Sequence, residues 1–444
     1  MKRLVFNSLN YGLGDLMAQI IGFFLIPVYT RYLSPADYGI VELTSTLAAF
    51  AVPLMKFGLP GSVTRLYYDY KDQENGLKNL ITTVNALLNG LALASGVLIL
   101  IFLYFFGESL FQGLEFFPFV VMAIITAGLG ANSQLQQKVI QNREQSKYAL
   151  YLKLAFTFFS IALAFVFIVF FKMGALGLVL VSFLTALFFF FQARYYLKPD
   201  LDGHFDKDIA KEALKYGLGI LPNHLTASAS PFINSAVILR LGGMASLGLF
   251  SIGLRFFFPL EMVFNALNTA FTPIYNEKRK AGKEEELKVL VRQILGISLL
   301  VYTGYQILGP YLMGLLVPQN YHSSIKLMPI LGIAFLGKSI YNISMSEVFF
   351  SKKTLFSSIV ILSGLSTNLL TVFILGQLLG FYSGEAAFLV SWGFAIGFLF
   401  WGFTSVVFKC RVSKFDLYLP EILVFLALGA LITLIGFYLQ GLLG

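Results

Sequence analysis

Apolar residues run along this chain in blocks of about 20, separated by short stretches of charge, glycine, proline, asparagine and aspartate. A block of that length crosses about 30 Å of hydrocarbon as an α-helix rising 1.5 Å per residue. Bounding the blocks by charges and turn residues predicts helices at 7–28, 38–57, 80–106, 116–137, 148–171, 174–195, 214–240, 246–272, 288–313, 326–350, 355–377, 383–408 and 419–439. Thirteen such blocks describe an all-α polytopic membrane protein. The N-terminus reads Met1-Lys2-Arg3 and then about 20 mostly apolar residues without a small-residue cleavage site, which fits a retained first span rather than a signal peptide.

Charge between the blocks sets an orientation, because Lys and Arg collect on the cytoplasmic side of short loops. With the N-terminus inside, the inner segments carry clusters such as Arg65, Lys71 and Lys78; Lys138, Arg143 and Lys147; Lys198, Lys207, Lys211 and Lys215; and Lys278, Arg279, Lys280, Lys283 and Lys288. The outer segments carry only Arg31, Lys172, Arg240 and Lys326. The formal net charge of +9 is therefore mainly a fringe facing anionic lipid, and it does not point to nucleic acid. An odd number of spans puts residue 444 outside.

The chain also repeats itself. Tyr11-Gly-Leu-Gly14 returns as Tyr216-Gly-Leu-Gly219, Arg31 and Gly39 return as Arg240 and Gly248, and Thr64-Arg-Leu-Tyr67 returns as Thr272-Pro-Ile-Tyr275. Six predicted helices separate the copies, so both halves enter the membrane from the same side, the mark of parallel lobes with a substrate site near mid-membrane. This predicts an N-lobe over 1–195, a linker over 196–213, a C-lobe over 214–408 and an extra C-terminal helix within 409–444.

Composition narrows the chemistry. The chain is 57% hydrophobic and 12% charged, unlike a soluble domain. One cysteine, Cys410, rules out an internal disulfide, and three histidines without clustered carboxylates give no metal frame, so no cofactor or metal is expected. Asp200-Leu-Asp202 resembles a metal-nucleotide motif but stands in a short loop with no nucleotide-binding domain, and no phosphate-binding Gly-x-x-x-x-Gly-Lys loop exists. A catalytic enzyme of glycan assembly would need a larger outer loop than the dozen or so residues available here.

The informative residues are polar groups inside the apolar blocks, since a charge at a helix centre costs on the order of 2.5–3.5 kcal/mol even on a lenient scale and belongs in a cavity. Tyr11, Asp15 and Gln19 share a face of the first helix. Arg255, Asn265, Thr269 and Thr272 stripe the eighth, where Pro259 predicts a kink beside Arg255. Lys338, Tyr341, Asn342 and Ser346 gather on the tenth. The seventh, with Pro222, Asn223, His224, Thr226, Ser228 and Pro231, reads as an irregular span lining water. Structural readings compete with these. Lys56, Lys153 and Arg292 lie near cytoplasmic ends and could snorkel, Arg255 or Lys338 could pair with Glu261 or Asp15, and His224 could be a satisfied bundle histidine.

Asn7-Ser-Leu-Asn-Tyr-Gly-Leu-Gly14, Ile26-Pro-Val-Tyr-Thr-Arg-Tyr-Leu-Ser-Pro-Ala-Asp-Tyr-Gly39 and Gly58-Leu-Pro-Gly-Ser-Val-Thr-Arg-Leu-Tyr-Tyr68 resemble the Wzx-type oligosaccharide-lipid flippases of the MOP superfamily, which also holds the MATE exporters. The resemblance reaches about residue 410, and its most specific stretch is Leu33–Gly39. It implies two six-helix lobes around a cationic cavity. The cargo would be an undecaprenyl-pyrophosphate-linked oligosaccharide moved from the inner to the outer leaflet of a bacterial cytoplasmic membrane, with polysaccharide polymerase machinery as a partner. Arg255 fits the family's pyrophosphate-binding cation on helix 8, and Lys56 or Arg65 fits the one at the inner end of helix 2. Helix 1 departs from the pattern by offering Asp15, which would instead exchange H⁺ or Na⁺ as a coupling ion. Thirteen spans also depart from the family's twelve or fourteen. Lys338, Asn265, Tyr341, Asn342, Asn223 and His224 complete the expected cavity lining. The alternative is a cation-coupled exporter of small amphiphilic molecules, against which buried Arg255 and Lys338 argue.

Overall fold

The computed structural model describes residues 2–351, 353, 355–379, 385–413 and 418–443. Their helices are α1 (Lys2–Phe24), α2 (Ile26–Tyr32), α3 (Pro35–Lys56), α4 (Leu59–Tyr70), α5 (Gly76–Leu110), α6 (Val121–Asn142), α7 (Ser146–Ala164), α8 (Gly174–Leu197), α9 (Lys207–Lys280), α10 (Glu284–Leu316), α11 (Met328–Phe350), α12 (Leu355–Leu379), α13 (Ala386–Val412) and α14 (Leu419–Leu443). Twelve stretches among the described residues are long and apolar enough to span a membrane, and one of these is the 74-residue α9. Gly243, at φ 74° and ψ −176°, interrupts α9 and divides it into two segments that each exceed a bilayer core. Counted that way, the thirteen blocks read from the sequence are all present.

One expectation about backbone fails: Gly243 is the only residue of α9 with non-helical dihedrals, so the 214–240 segment is helical rather than irregular. Pro259 likewise stands within helical backbone, which its φ suits. Where this segment of α9 is richest in hydroxyls they fold back on it, Thr226 Oγ1 donating to the Pro222 carbonyl at 2.8 Å and Ser228 Oγ to that of His224 at 3.1 Å.

Contacts divide the chain into two units, Met1–Met244 and Ala245–Gly444. The first unit therefore extends past the 196–213 linker and takes in α9 up to its break at Gly243. Backbone approaches explain why. Phe57 and Gly58, at φ 49° and 69°, end α3 in the left-handed region. A Cβ on Gly217 would stand 2.1 Å from the Phe57 carbonyl oxygen, so only glycine allows α9 to pass there. The linker is itself tied to the start of α5. Gly203 N–H donates to Thr82 Oγ1 at 3.2 Å, His204 N–H to Asn79 Oδ1 at 2.8 Å and Asp206 N–H to Thr83 Oγ1 at 3.0 Å. Asp200 of the apparent metal-nucleotide motif pairs with Arg143 at 2.5 Å.

The most specific stretch of the resemblance, Leu33–Gly39, is also architectural. Ser34 caps α3 and Asp37 closes the capping box, with Asp37 N–H donating to Ser34 Oγ at 3.1 Å and Ser34 N–H donating to Asp37 Oδ2 at 2.9 Å. The other carboxylate oxygen, Oδ1, accepts from Ala175 N–H at 3.2 Å and so ties α3 to the start of α8. Gly39 cannot carry a Cβ, which would lie 1.9 Å from the Met244 carbonyl oxygen. At the repeat offset of Arg31 and Arg240, the break at Ser34 falls in register with the break at Gly243.

Candidate functional site

In the second unit the polar groups expected on α9 and α11 come together around one helix crossing. α11 and α13 approach so closely that a Cβ on Gly337 would sit 2.1 Å from the Phe398 carbonyl oxygen, and one on Gly402 would sit 2.9 Å from that of Gly337. The next residue, Lys338, is thereby held against Phe398, with its side chain 16% exposed. Its ammonium donates to Glu261 of α9 and lies 5.6, 5.9 and 5.0 Å from the ring centroids of Phe257, Phe264 and Phe398. Glu261, one of the two acids weighed as partners for Arg255 or Lys338, is thus engaged by Lys338.

Tyr341 lies one turn below Lys338 on α11; its hydroxyl is 3.1 Å from Ser357 Oγ and its ring is 4.8 Å from that of Trp401. Asn342 is buried, and Ser346 Oγ donates to its carbonyl at 2.8 Å. Arg255 is half-buried and Asn265 exposed on α9, so α9 presents a guanidinium and an amide on either side of the Lys338–Glu261 pair.

Sequence reasoning missed a second ionic cluster in this unit. Glu347, 1% exposed, accepts from Arg279 through Nε and Nη2, each at 2.9 Å, and from the Tyr275 hydroxyl at 2.6 Å. Arg279 Nη2 also reaches Ser413 Oγ at 3.4 Å. These bonds bind the ends of α9, α11 and α13. The signal was present, since Glu347 is an acid inside a predicted apolar block and falls under the same rule that singled out Lys338.

In the first unit the expected residues do not form one group. Lys56 ends α3 with 4% of its surface exposed, so it does not snorkel to solvent, and among the described residues no carboxylate pairs with it. Arg65 projects from α4 with its side chain 60% exposed and pairs with Asp69 at 2.9 Å. Asn223 and His224 are exposed on α9. The side chain of Asp15, with that of Tyr11, lies outside the described residues. A cavity of about 400 Å³ that sequence reasoning did not anticipate is lined by the polar residues Asn10, Ser133, Gln136, Gln137, Gln141 and Lys153 and by apolar ones that include Ile140, Leu150, Leu152, Phe156 and Phe189. Asn10 Nδ2 donates to Ser146 Oγ at 3.0 Å beside it. The run Ser133-Gln-Leu-Gln-Gln-Lys138, unusually polar for a spanning helix, was the available signal.

Known proteins share this architecture. Over 93% of its length the chain superposes on 96% of a MATE transporter solved in complex with MaD3S, with a TM-score of 0.58 at 18% identity. A MATE transporter in the straight conformation gives a TM-score of 0.52 at 17% identity, over 93% of this chain and 96% of that one. A MOP superfamily transporter from Pyrococcus furiosus, described as having a binding pocket of reversed polarity, gives 0.50 at 16% identity over 94% and 93%. These likenesses establish the fold as MATE-like: an all-α polytopic membrane protein of two six-helix repeats, with α14 as an additional helix. No curated protein matches the chain. The model of the family described as polysaccharide biosynthesis protein matches residues 4–279, more than half of the sequence, and the chain belongs to that family.

Proposed function

We propose that this protein is a flippase that carries an undecaprenyl-pyrophosphate-linked oligosaccharide from the inner to the outer leaflet of a bacterial cytoplasmic membrane, by alternating access through a cationic cavity. Lys56 is the observation that carries this reading. A buried ammonium in a spanning helix, with no carboxylate paired to it among the described residues, is suited to a mobile anion, and a pyrophosphate is such an anion. Arg255, half-buried on α9, is a second cation suited to a pyrophosphate, which it could hold through two parallel N–H···O contacts that lysine cannot reproduce. Asn265, Tyr341 and Asn342 suit sugar hydroxyls, while Asn223 and His224, exposed on α9, suit the more polar parts of the path. Arg65, already paired with Asp69 at the surface, contributes less. In this reading the N-terminus is cytoplasmic, Asp15 exchanges the coupling H⁺ or Na⁺, and the flipped glycan passes to polymerase machinery.

Family membership and the MATE-like fold support a carrier rather than a glycan-forming enzyme. The cationic residues Lys56 and Arg255 disfavour a cationic amphiphile as cargo. The test is a host whose surface glycan depends on this chain. Arg255→Ala should abolish surface glycan while lipid-linked intermediate builds up in the inner leaflet, where outer-face glycan-cleaving enzymes cannot reach it. Arg255→Lys should restore part of the export. Normal surface glycan in a well-expressed Arg255→Ala strain, or glycan loss without trapped intermediate, would reject the proposal.

A further inference from the structure

The groups around Lys338 are those that bind an alkylammonium ion. Three phenylalanine rings stand within 6 Å of its nitrogen, the range in which a ring quadrupole attracts a cation, and the Glu261 carboxylate supplies the charge. The rings are positioned by neighbours other than Lys338. Phe257 is 1% exposed and meets Phe394 edge-on at 6.1 Å, Phe398 packs on Phe394 at 4.7 Å and on Trp401 at 4.8 Å, and Phe264 meets Phe335 at 6.5 Å. Gly337 fixes the α11–α13 crossing that sets Phe398 in place. The enclosure is therefore built by the scaffold, and the lysine enters it as a guest on a short tether.

We infer that Phe257, Phe264, Phe398 and Glu261 form a binding site for primary alkylammonium ions, which the chain's own Lys338 occupies. The lysine acts as a tethered ligand. It neutralises Glu261, fills the space between the rings and denies that space to free organic cations. This makes Lys338 a resident of a cation site rather than a free contact for an anionic cargo, and the inference holds whether or not the protein is a flippase.

Lysine truncated to alanine loses three carbons and the ammonium group, and n-propylammonium has the same atoms. The full-length purified protein is heated with propylammonium chloride, with sodium chloride as the ionic-strength control. Propylammonium should raise the unfolding temperature of Lys338→Ala but not of the wild type, whose site is filled, nor of Lys338→Met, whose side chain fills the space without charge. Its apparent affinity for Lys338→Ala should be roughly tenfold or more above that for the wild type, a difference of about 1.4 kcal/mol. Adding Glu261→Ala should remove the response. An equal response in Lys338→Ala and wild type would overturn the inference. If Lys338→Ala does not fold, ¹³C-lysine labelling of the wild type gives a second readout. The Lys338 ε-methylene protons should lie upfield of those of surface lysines because of ring currents, and should move back toward them in Phe398→Ala. A Lys338 signal that coincides with the surface lysines would equally overturn it.

Discussion

Replacing Lys56 by methionine separates the two roles a buried lysine can have, because they predict opposite changes in stability. Methionine keeps a stem of similar length and gives up only the ammonium. A charged side chain costs on the order of 2.5–3.5 kcal/mol at the centre of a spanning helix and less toward its end. Lys56 is the last residue of α3 and 4% exposed, so about 1 kcal/mol is the part of that cost expected here. Among the described residues no carboxylate offsets it. Lys56→Met should therefore leave the protein as stable as the wild type or raise its unfolding temperature by roughly 2–4 °C, the usual response of a unit of this size to about 1 kcal/mol.

Export should fall at the same time. Losing one hydrogen bond to a charged group costs about 1.5–3 kcal/mol, which lowers transport per folded molecule by roughly 10- to 150-fold. Lys56→Arg keeps the charge and should lie between. The assay pairs thermal unfolding of the purified variants with surface glycan per membrane-inserted molecule in the dependent host. A Lys56→Met protein that unfolds well below the wild type yet exports normally per molecule would refute this reasoning and assign Lys56 to the scaffold.

Other changes test the frame around the site. Gly337→Ala puts a methyl group 2.1 Å from the Phe398 carbonyl oxygen, so the α11–α13 crossing should open at a cost of about 1–3 kcal/mol, seen as a lower unfolding temperature and weaker protection of Lys338 from amine reagents. Asp37→Ala removes the capping box and the tie to Ala175, lowering stability by about 0.5–2 kcal/mol in thermal unfolding while export per folded molecule stays at the wild-type level. Glu347→Ala strands Arg279 and the Tyr275 hydroxyl at the ends of three helices. Up to about 3–5 kcal/mol is at stake, reduced because Arg279 keeps some solvent contact, and Glu347→Gln should recover part of it by the same measurement. For orientation, a cysteine at Ser323 should react with an impermeant maleimide added outside intact cells, and one at Lys280 should not; the reverse pattern would overturn the charge argument.

The spans were legible because bilayer thickness leaves little freedom: a block of 20 apolar residues in this composition has one stable outcome. The breaks were less so. The backbone of α9 breaks at Gly243, where φ is 74° and a side chain would be strained, and the adjacent Gly242-Gly243 pair was visible in the sequence. The ion pairs were least legible, because partner choice is decided by tertiary placement. Glu261 is nearer Arg255 in sequence but bonds Lys338, 77 residues away, once Gly337 has brought α11 and α13 together.

This contrast bears on what family membership can say about cargo. The stretch that best marks the resemblance, Leu33–Gly39, caps a helix, ties it to α8 and clears space for the backbone at Met244. Gly58 and Gly217 likewise allow two backbones to touch. Such positions are constrained by hard contacts of the main chain, which hold for any cargo this fold carries. Arg255, Asn265, Asn223 and His224 project from helical backbone that would accept most residues, so their identities answer to what they meet rather than to the fold. The stretch that best marks the resemblance is thus uninformative about the cargo, and the residues that would choose it are those that a motif cannot contain. The cargo is to be read from charge and hydrogen-bond chemistry along the helices, which is why the opposed stability and export effects at Lys56, rather than any further sequence likeness, decide the flippase reading.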